Sequence, residues 1–172
     1  MVSRRTFLVT GTLGAAALAA AGGIALLRRG RTPAPTALDA EQRDIVAAIV
    51  PALLGSALPA EPAQRALAID ETVAGVARAY SGLPPAARTE LGQLFSLLAF
   101  APARRGLAGV ATPWNTATGD EVGAFLAAWR DSGWALKRSA YDAFHQLIYA
   151  AWYGNPRSWP AIGYPGPPAL AT

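Results

Sequence analysis

His145 is the only histidine in this 172-residue chain, and cysteine is absent altogether. Those two facts bound the chemistry its side chains can do. One histidine cannot build a multi-histidine metal site. Without cysteine there is no disulfide, no covalent c-type haem through Cys-x-x-Cys-His, no iron–sulfur cluster and no thiol nucleophile. His145 lies between Phe144 and Gln146 in an aromatic stretch. A partly buried, hydrogen-bonding histidine is the first reading; an axial haem ligand or a general base compete with it. Asp131 and Asp142 have no evident acid–base partner. Glu121 reads as a helix cap and Asp70-Glu71 as a solvated helix face. No Gly-x-Gly-x-x-Gly, Gly-x-Ser-x-Gly or phosphate loop occurs. No catalytic residue, metal ligand or directly bound cofactor is expected. Arg104-Arg105 and Arg157 remain as polar candidates. They are either solvated loop arginines or guanidinium groups that pair with carboxylates on a partner.

The clearest recognition pattern is Ser3-Arg4-Arg5-Thr6-Phe7-Leu8, directly before an apolar stretch. Arg4 and Arg5, then a small residue, then Phe7 and Leu8, have the form of a twin-arginine export signal. That route carries proteins already folded, so the expected partners include the twin-arginine translocase and the cytoplasmic membrane. Thr6 to Leu27 runs without a charge. As a helix it would be about 33 Å long, enough for a hydrocarbon core of about 30 Å. Ala17-Leu18-Ala19 and Ala19-Ala20-Ala21 have the small-x-small form that a signal peptidase accepts. Ile24 to Leu27 continues the run, and Arg28, Arg29 and Arg31 stop it. Three readings follow: a signal cut near Ala21, a retained anchor, or a hydrophobic helix that is not exported. The first two put the protein in the periplasm, the second tethered to the membrane by residues 6–27.

The net charge of +4 and pI near 10 belong to that segment. Arg4, Arg5, Arg28, Arg29 and Arg31 face no acidic residue before position 32. The remainder carries ten basic and eleven acidic residues, a net charge of −1. No nucleic-acid partner is expected. Residues 32–38 read as a stiff linker, 39–152 as one domain and 153–172 as a tail.

The domain reads as all-α, a compact bundle of about five helices. The first spans Asp39 to Leu54, capped by Thr36 or Asp39, with Ile45, Val46, Ile49, Val50 and Leu53 buried. Pro51 should kink or end it. The second spans Ala63 to Tyr80, with Leu67, Val73, Val76, Ala77 and Tyr80 inside. Pro84-Pro85 starts the third, which runs to about Phe100 over Leu91, Leu94, Phe95, Leu97 and Leu98. Residues 102–116 are irregular or hold one short turn. Thr118-Gly-Asp-Glu121 has the form of a capping box, opening a helix to about Arg130 over Val122, Phe125, Leu126 and Trp129. The last helix spans Trp134 to Trp152, with Trp134, Tyr141, Phe144, Ile148 and Trp152 along one face.

From Tyr153 the chain is dominated by Pro and Gly, with Trp159 and Tyr164 among them. Aromatic rings on a proline-stiffened backbone lose little entropy on docking. The tail either wraps the bundle's own core or presents a surface to another protein, and one face could do each. Trp152, Tyr153, Arg157, Trp159 and Tyr164 are the candidate partner-binding residues, because Trp, Tyr and Arg favour interface anchors.

Several stretches carry a resemblance. They are Asp39-Ala-Glu-Gln-Arg43 with Ile45 to Pro51, Phe144-His-Gln-Leu-Ile-Tyr-Ala-Ala-Trp-Tyr-Gly-Asn-Pro-Arg157, and Ile162-Gly-Tyr-Pro-Gly-Pro167. Together they resemble the small-subunit family of gluconate 2-dehydrogenase, its subunit 3, over most of residues 36–168. Trp152-Tyr153 stands where the family has two tyrosines. Its glycine-rich loop is reduced to Gly55-Ser-Ala-Leu-Pro59. The resemblance implies a non-catalytic accessory subunit of a large FAD-dependent dehydrogenase of the glucose–methanol–choline type, often with a cytochrome c subunit. FAD would be held by the large subunit, which this chain would carry through twin-arginine export and stabilise. The competing reading is a stand-alone, membrane-anchored helical module that binds another enzyme or a hydrophobic ligand.

Overall fold

The computed structural model describes residues 36–167. Arg4, Arg5, Phe7, Leu8 and the apolar stretch 6–27 lie outside the described residues. Within them the chain is all-α, a bundle of five long helices without a strand. They are α1 (Ala40–Leu54), α2 (Pro62–Gly82), α3 (Pro85–Ala99), α4 (Gly119–Arg130) and α5 (Ala135–Tyr153). Among the described residues no helix is long and apolar enough to cross a membrane.

α1 is the central element and touches each of the other four. Ile45, Val46, Ile49 and Val50 are all fully buried, which places adjacent pairs on each successive turn against neighbours. A helix apolar on so much of its circumference belongs in a core. Asp39 caps it: its carboxylate accepts from the Gln42 N–H at 2.8 Å, while the Gln42 side chain accepts from the Asp39 N–H. Pro51 does not end the helix, which continues to Leu54. Without an N–H, Pro51 leaves the Ala47 carbonyl short of its helical donor, a loss of one bond that the buried helix absorbs. The Leu53 carbonyl, left over at that end, accepts from the Tyr149 hydroxyl of α5 at 3.2 Å.

α2 and α5 pack closely. A Cβ at Gly75 would meet the Ala151 Cβ at 3.0 Å, so the missing side chain sets the helix separation. Arg88 of α3 donates to the Ser81 and Leu83 carbonyls at 3.1 and 2.9 Å and closes the turn after α2. Tyr80, Phe95 and Phe144 form an edge-to-face run through the core, with centroids 6.4 and 5.6 Å apart. Trp114, Phe125 and Trp129 form another, at 5.8 and 4.8 Å. Thr118 and Glu121 make the expected capping box at the start of α4.

Two expected core residues lie outside. Leu67 is 50% exposed, because α2 turns Ala68, Thr72, Val73 and Val76 inward and leaves Leu67 on the far face. Trp134 is 58% exposed, because it is the N-cap of α5 and precedes the face that Ala140, Phe144, Ile148 and Trp152 bury.

Candidate partner-binding surface

The tail leaves α5 at Gly154 and folds back through two single turns, Pro156–Ser158 and Pro160–Ile162. Asn155 starts the first: its side-chain oxygen accepts from the Arg157 N–H at 3.0 Å, and its amide donates to Glu71 at 2.9 Å. Arg157 reaches α2 with its whole fork. Nε and Nη2 donate to the two Glu71 oxygens at 2.7 and 2.8 Å, and Nη1 donates to Gln64 at 3.2 Å. Gln64 and Glu71 are seven residues apart and share a helix face. The Arg157 hydrogen bonds, then the Asn155 amide, hold the Glu71 carboxyl below the usual carboxylate range. Glu71 stays on the solvent-facing side of α2 with the exposed Asp70, its side chain 40% exposed, and is engaged there by the tail. A groove bounded by Glu71, Ala74, Arg78, Ala151 and Asn155 runs alongside this contact.

The second turn organises the aromatic rings. Trp159 is half-buried, and its Nε1 donates to the Tyr153 carbonyl at 2.9 Å. Tyr164 meets the Trp159 ring edge-on at 5.2 Å. Gly163 and Gly166 both have positive φ, 68° and 99°. Only glycine takes such values without strain. At Gly166 a Cβ would also lie 3.1 Å from the Trp159 ring. The closing Gly-Tyr-Pro-Gly thus has a steric reason: it brings the chain across the indole.

Of the five candidate partner-binding residues, the fold brings Tyr153, Trp159 and Tyr164 together. Tyr153 and Tyr164 are exposed there, as is Ile162. Trp152 points the other way and is buried in the core, 3% exposed. Arg157 is engaged within the chain by Glu71.

One feature of α5 escapes a reading based on core periodicity. Tyr141, His145, Tyr149 and Tyr153 follow at four-residue steps along the helix, with centroids 5.8, 4.1 and 5.7 Å apart; the first three rings stack and the Tyr153 ring is tilted. Residues four apart lie one above another on a helix, so the spacing alone could have shown it. His145 lies between two tyrosine rings, half-buried, and forms no ion pair with a carboxylate among the described residues. The ladder ends at Tyr153, whose carbonyl accepts from the tail's Trp159. Among the described residues no cluster of three or more His, Asp and Glu is placed to hold a metal.

The other loop arginines differ. Arg105 is exposed and donates to the Ala111 carbonyl at 3.3 Å. Arg104 is buried, contrary to the expectation of a solvated loop residue. It begins a π-helical segment, Arg104–Ala108, that the periodicity of the sequence does not signal.

Comparison of the chain with protein-family models, with curated proteins and with solved structures found no match.

Proposed function

We propose that this chain is the non-catalytic small subunit of a periplasmic FAD-dependent dehydrogenase of the glucose–methanol–choline type. It carries the folded flavoprotein through twin-arginine export and stabilises it afterwards. The observation that carries the reading is Ser3-Arg4-Arg5-Thr6-Phe7-Leu8, a signal for export in the folded state, joined to a small helical domain. The resemblance to the gluconate 2-dehydrogenase small-subunit family names the kind of partner. The exposed Tyr153, Ile162 and Tyr164 supply a surface of the composition that such contacts use.

The test is an affinity capture of the tagged full chain from periplasmic and membrane fractions, with an absorbance spectrum of what is retained. A large co-purifying protein with flavin bands is the expected result. A lone colourless band in mild detergent overturns it, in favour of a stand-alone anchored module. Arg4→Lys with Arg5→Lys should leave both chains in the cytoplasm; normal export of the flavoprotein would refute the carrier role.

A further inference from the structure

The corner between α4 and α5 exposes two large apolar side chains beside basic ones. Trp134 is 58% exposed and Leu136 70%. Gly133 and Ala135 are exposed as well, so Gly133 to Leu136 form a projecting, uncharged tip. The indole N–H groups of Trp114, Trp129 and Trp159 donate to backbone carbonyls. Trp134 bonds through its backbone instead: its N–H donates to Ser132 Oγ at 3.1 Å, and its carbonyl accepts from Lys137 and Arg138. Its ring is left to solvent, with the Lys137 ammonium 5.6 Å from the centroid.

The charges at this corner run against the rule for helix ends. A helix N-terminus carries partial positive charge and favours acidic residues in its first turn. α4 follows the rule with Asp120 and Glu121. The first turn of α5 has no acidic residue and no side-chain cap; Lys137 and Arg138 stand there. Lys137 donates to the Leu107 carbonyl and Arg138 to the Ser132 carbonyl. Neither meets a carboxylate: the ion pairs of the described residues are Arg130–Asp131 and Arg157–Glu71. Every Asp and Glu of the chain lies between Asp39 and Asp142, within the described residues. From Arg130 to Arg138 three basic residues face one acid, Asp131, although residues 32–172 together have a net charge of −1. Bases set against a helix dipole cost stability within the chain, and negative charge outside the chain offsets that cost.

We infer that the α4–α5 corner docks on an anionic phospholipid surface. Trp134 and Leu136 enter the interfacial layer, and Lys137 and Arg138 meet the phosphates. Tryptophan favours that layer because its ring is apolar and its N–H can still find a headgroup acceptor. Each base held near an anionic leaflet adds to the attraction. The projecting shape selects lipid over protein. A protein partner would need a fitted hollow for the tip, whereas lipid headgroups part around it. This contact belongs to the folded domain and does not depend on whether residues 6–27 remain as an anchor.

The chain has no cysteine, so one label can be placed at a time. Gly133→Cys suits the purpose, since a Cβ there meets nothing within 4 Å. The full chain carries an environment-sensitive fluorophore at Gly133→Cys or, as a control, at the exposed Asp70→Cys. It is reconstituted into vesicles of phosphatidylcholine, or of equal parts phosphatidylcholine and phosphatidylglycerol, with brominated acyl chains as quencher. The expected result is a blue shift and quenching at Gly133→Cys in the phosphatidylglycerol vesicles, lost at high salt, with the Asp70→Cys label unquenched. Lys137→Glu with Arg138→Glu should cut the quenching at least about threefold. Trp134→Ala with Leu136→Ala should reduce it as well. An unquenched Gly133→Cys label overturns the inference, as does equal quenching without phosphatidylglycerol or at Asp70→Cys. A label shifted by polyglutamate but not by vesicles overturns it in favour of an acidic protein. If the labelled chain does not fold, amide exchange of the unlabelled chain decides. Slower exchange at residues 134–138 with phosphatidylglycerol than without supports the contact, and equal exchange overturns it.

Discussion

The two irregular segments of the bundle hold their arginines in opposite circumstances. In the tail, Arg157 is exposed and each of its three side-chain nitrogens donates to Glu71 or Gln64. In the π-segment, Arg104 is buried and its Nε has no acceptor. The anchors are opposite too. The π-segment is pinned by a buried indole, Trp129, whose Nε1 donates to the Leu107 carbonyl at 3.0 Å. The tail is pinned by polar contacts at its rim and by a half-buried Trp159. A segment held by a buried ring can keep a charge unpaired beside it, because the ring and its hydrogen bond, not the charge, fix the backbone. A segment without such a ring needs its charge paired in order to stay docked.

Substitutions can break or sharpen this contrast. The largest effect is expected at Trp129→Ala, which empties a core position and strips the Leu107 carbonyl of its indole donor. It should cost about 3–5 kcal/mol in urea unfolding; a loss under 1 kcal/mol would show that the π-segment is held otherwise. In the tail, Trp159→Ala should cost only about 1–2 kcal/mol, since the ring is half-buried. Combined with Tyr164→Ala, it should weaken partner capture more than it lowers the melting temperature; equal losses would leave the tail as a wrap alone. Asn155→Ala removes the side chain that both starts the first tail turn and bonds Glu71. About 1 kcal/mol is expected, read as faster proteolysis of the tail with the bundle intact.

Glu71→Gln should give the smallest effect of the series, present at neutral pH and vanishing in acid. The folded Glu71 pKa is lowered, chiefly by its Arg157 hydrogen bonds. Its contribution is thus complete above the unfolded carboxylate range and is lost as pH falls through the lowered folded value. Tail protection from protease should be flat at neutral pH and decline in acid. The variant should lose that acid-dependent step. An unchanged acid step in Glu71→Gln would mean that another group controls docking.

Much of the bundle is readable along the chain because it rests on local rules. The Thr118 capping box, the Asp39 cap and the burial of Val122, Phe125, Leu126, Phe144 and Ile148 follow from residue type and from spacings of three and four. Leu67 and Trp134 depart from their spacing for different reasons: neighbouring helices decide which side of α2 is inside, and Trp134 is the N-cap of α5, ahead of its buried face. The tail anchors were partly readable. Tyr153, Trp159 and Tyr164 meet in the tail, whereas Trp152, one residue before Tyr153, turns about 100° around the helix and enters the core.

By itself, the sequence determined the fold class, the helix starts, the gathering of excess basic charge before position 32 and the absence of thiol chemistry. All of these depend on composition or on residues within one or two turns of each other. Only the tertiary structure decided that Glu71 meets Arg157, that Trp114 and Trp129 cap the Leu98 and Leu107 carbonyls, and that Arg104 is buried without a carboxylate. Those outcomes join residues 16 to 86 positions apart, or depend on none being near. Charge pairing and burial are set by distance in space, and distance along the chain carries no measure of it.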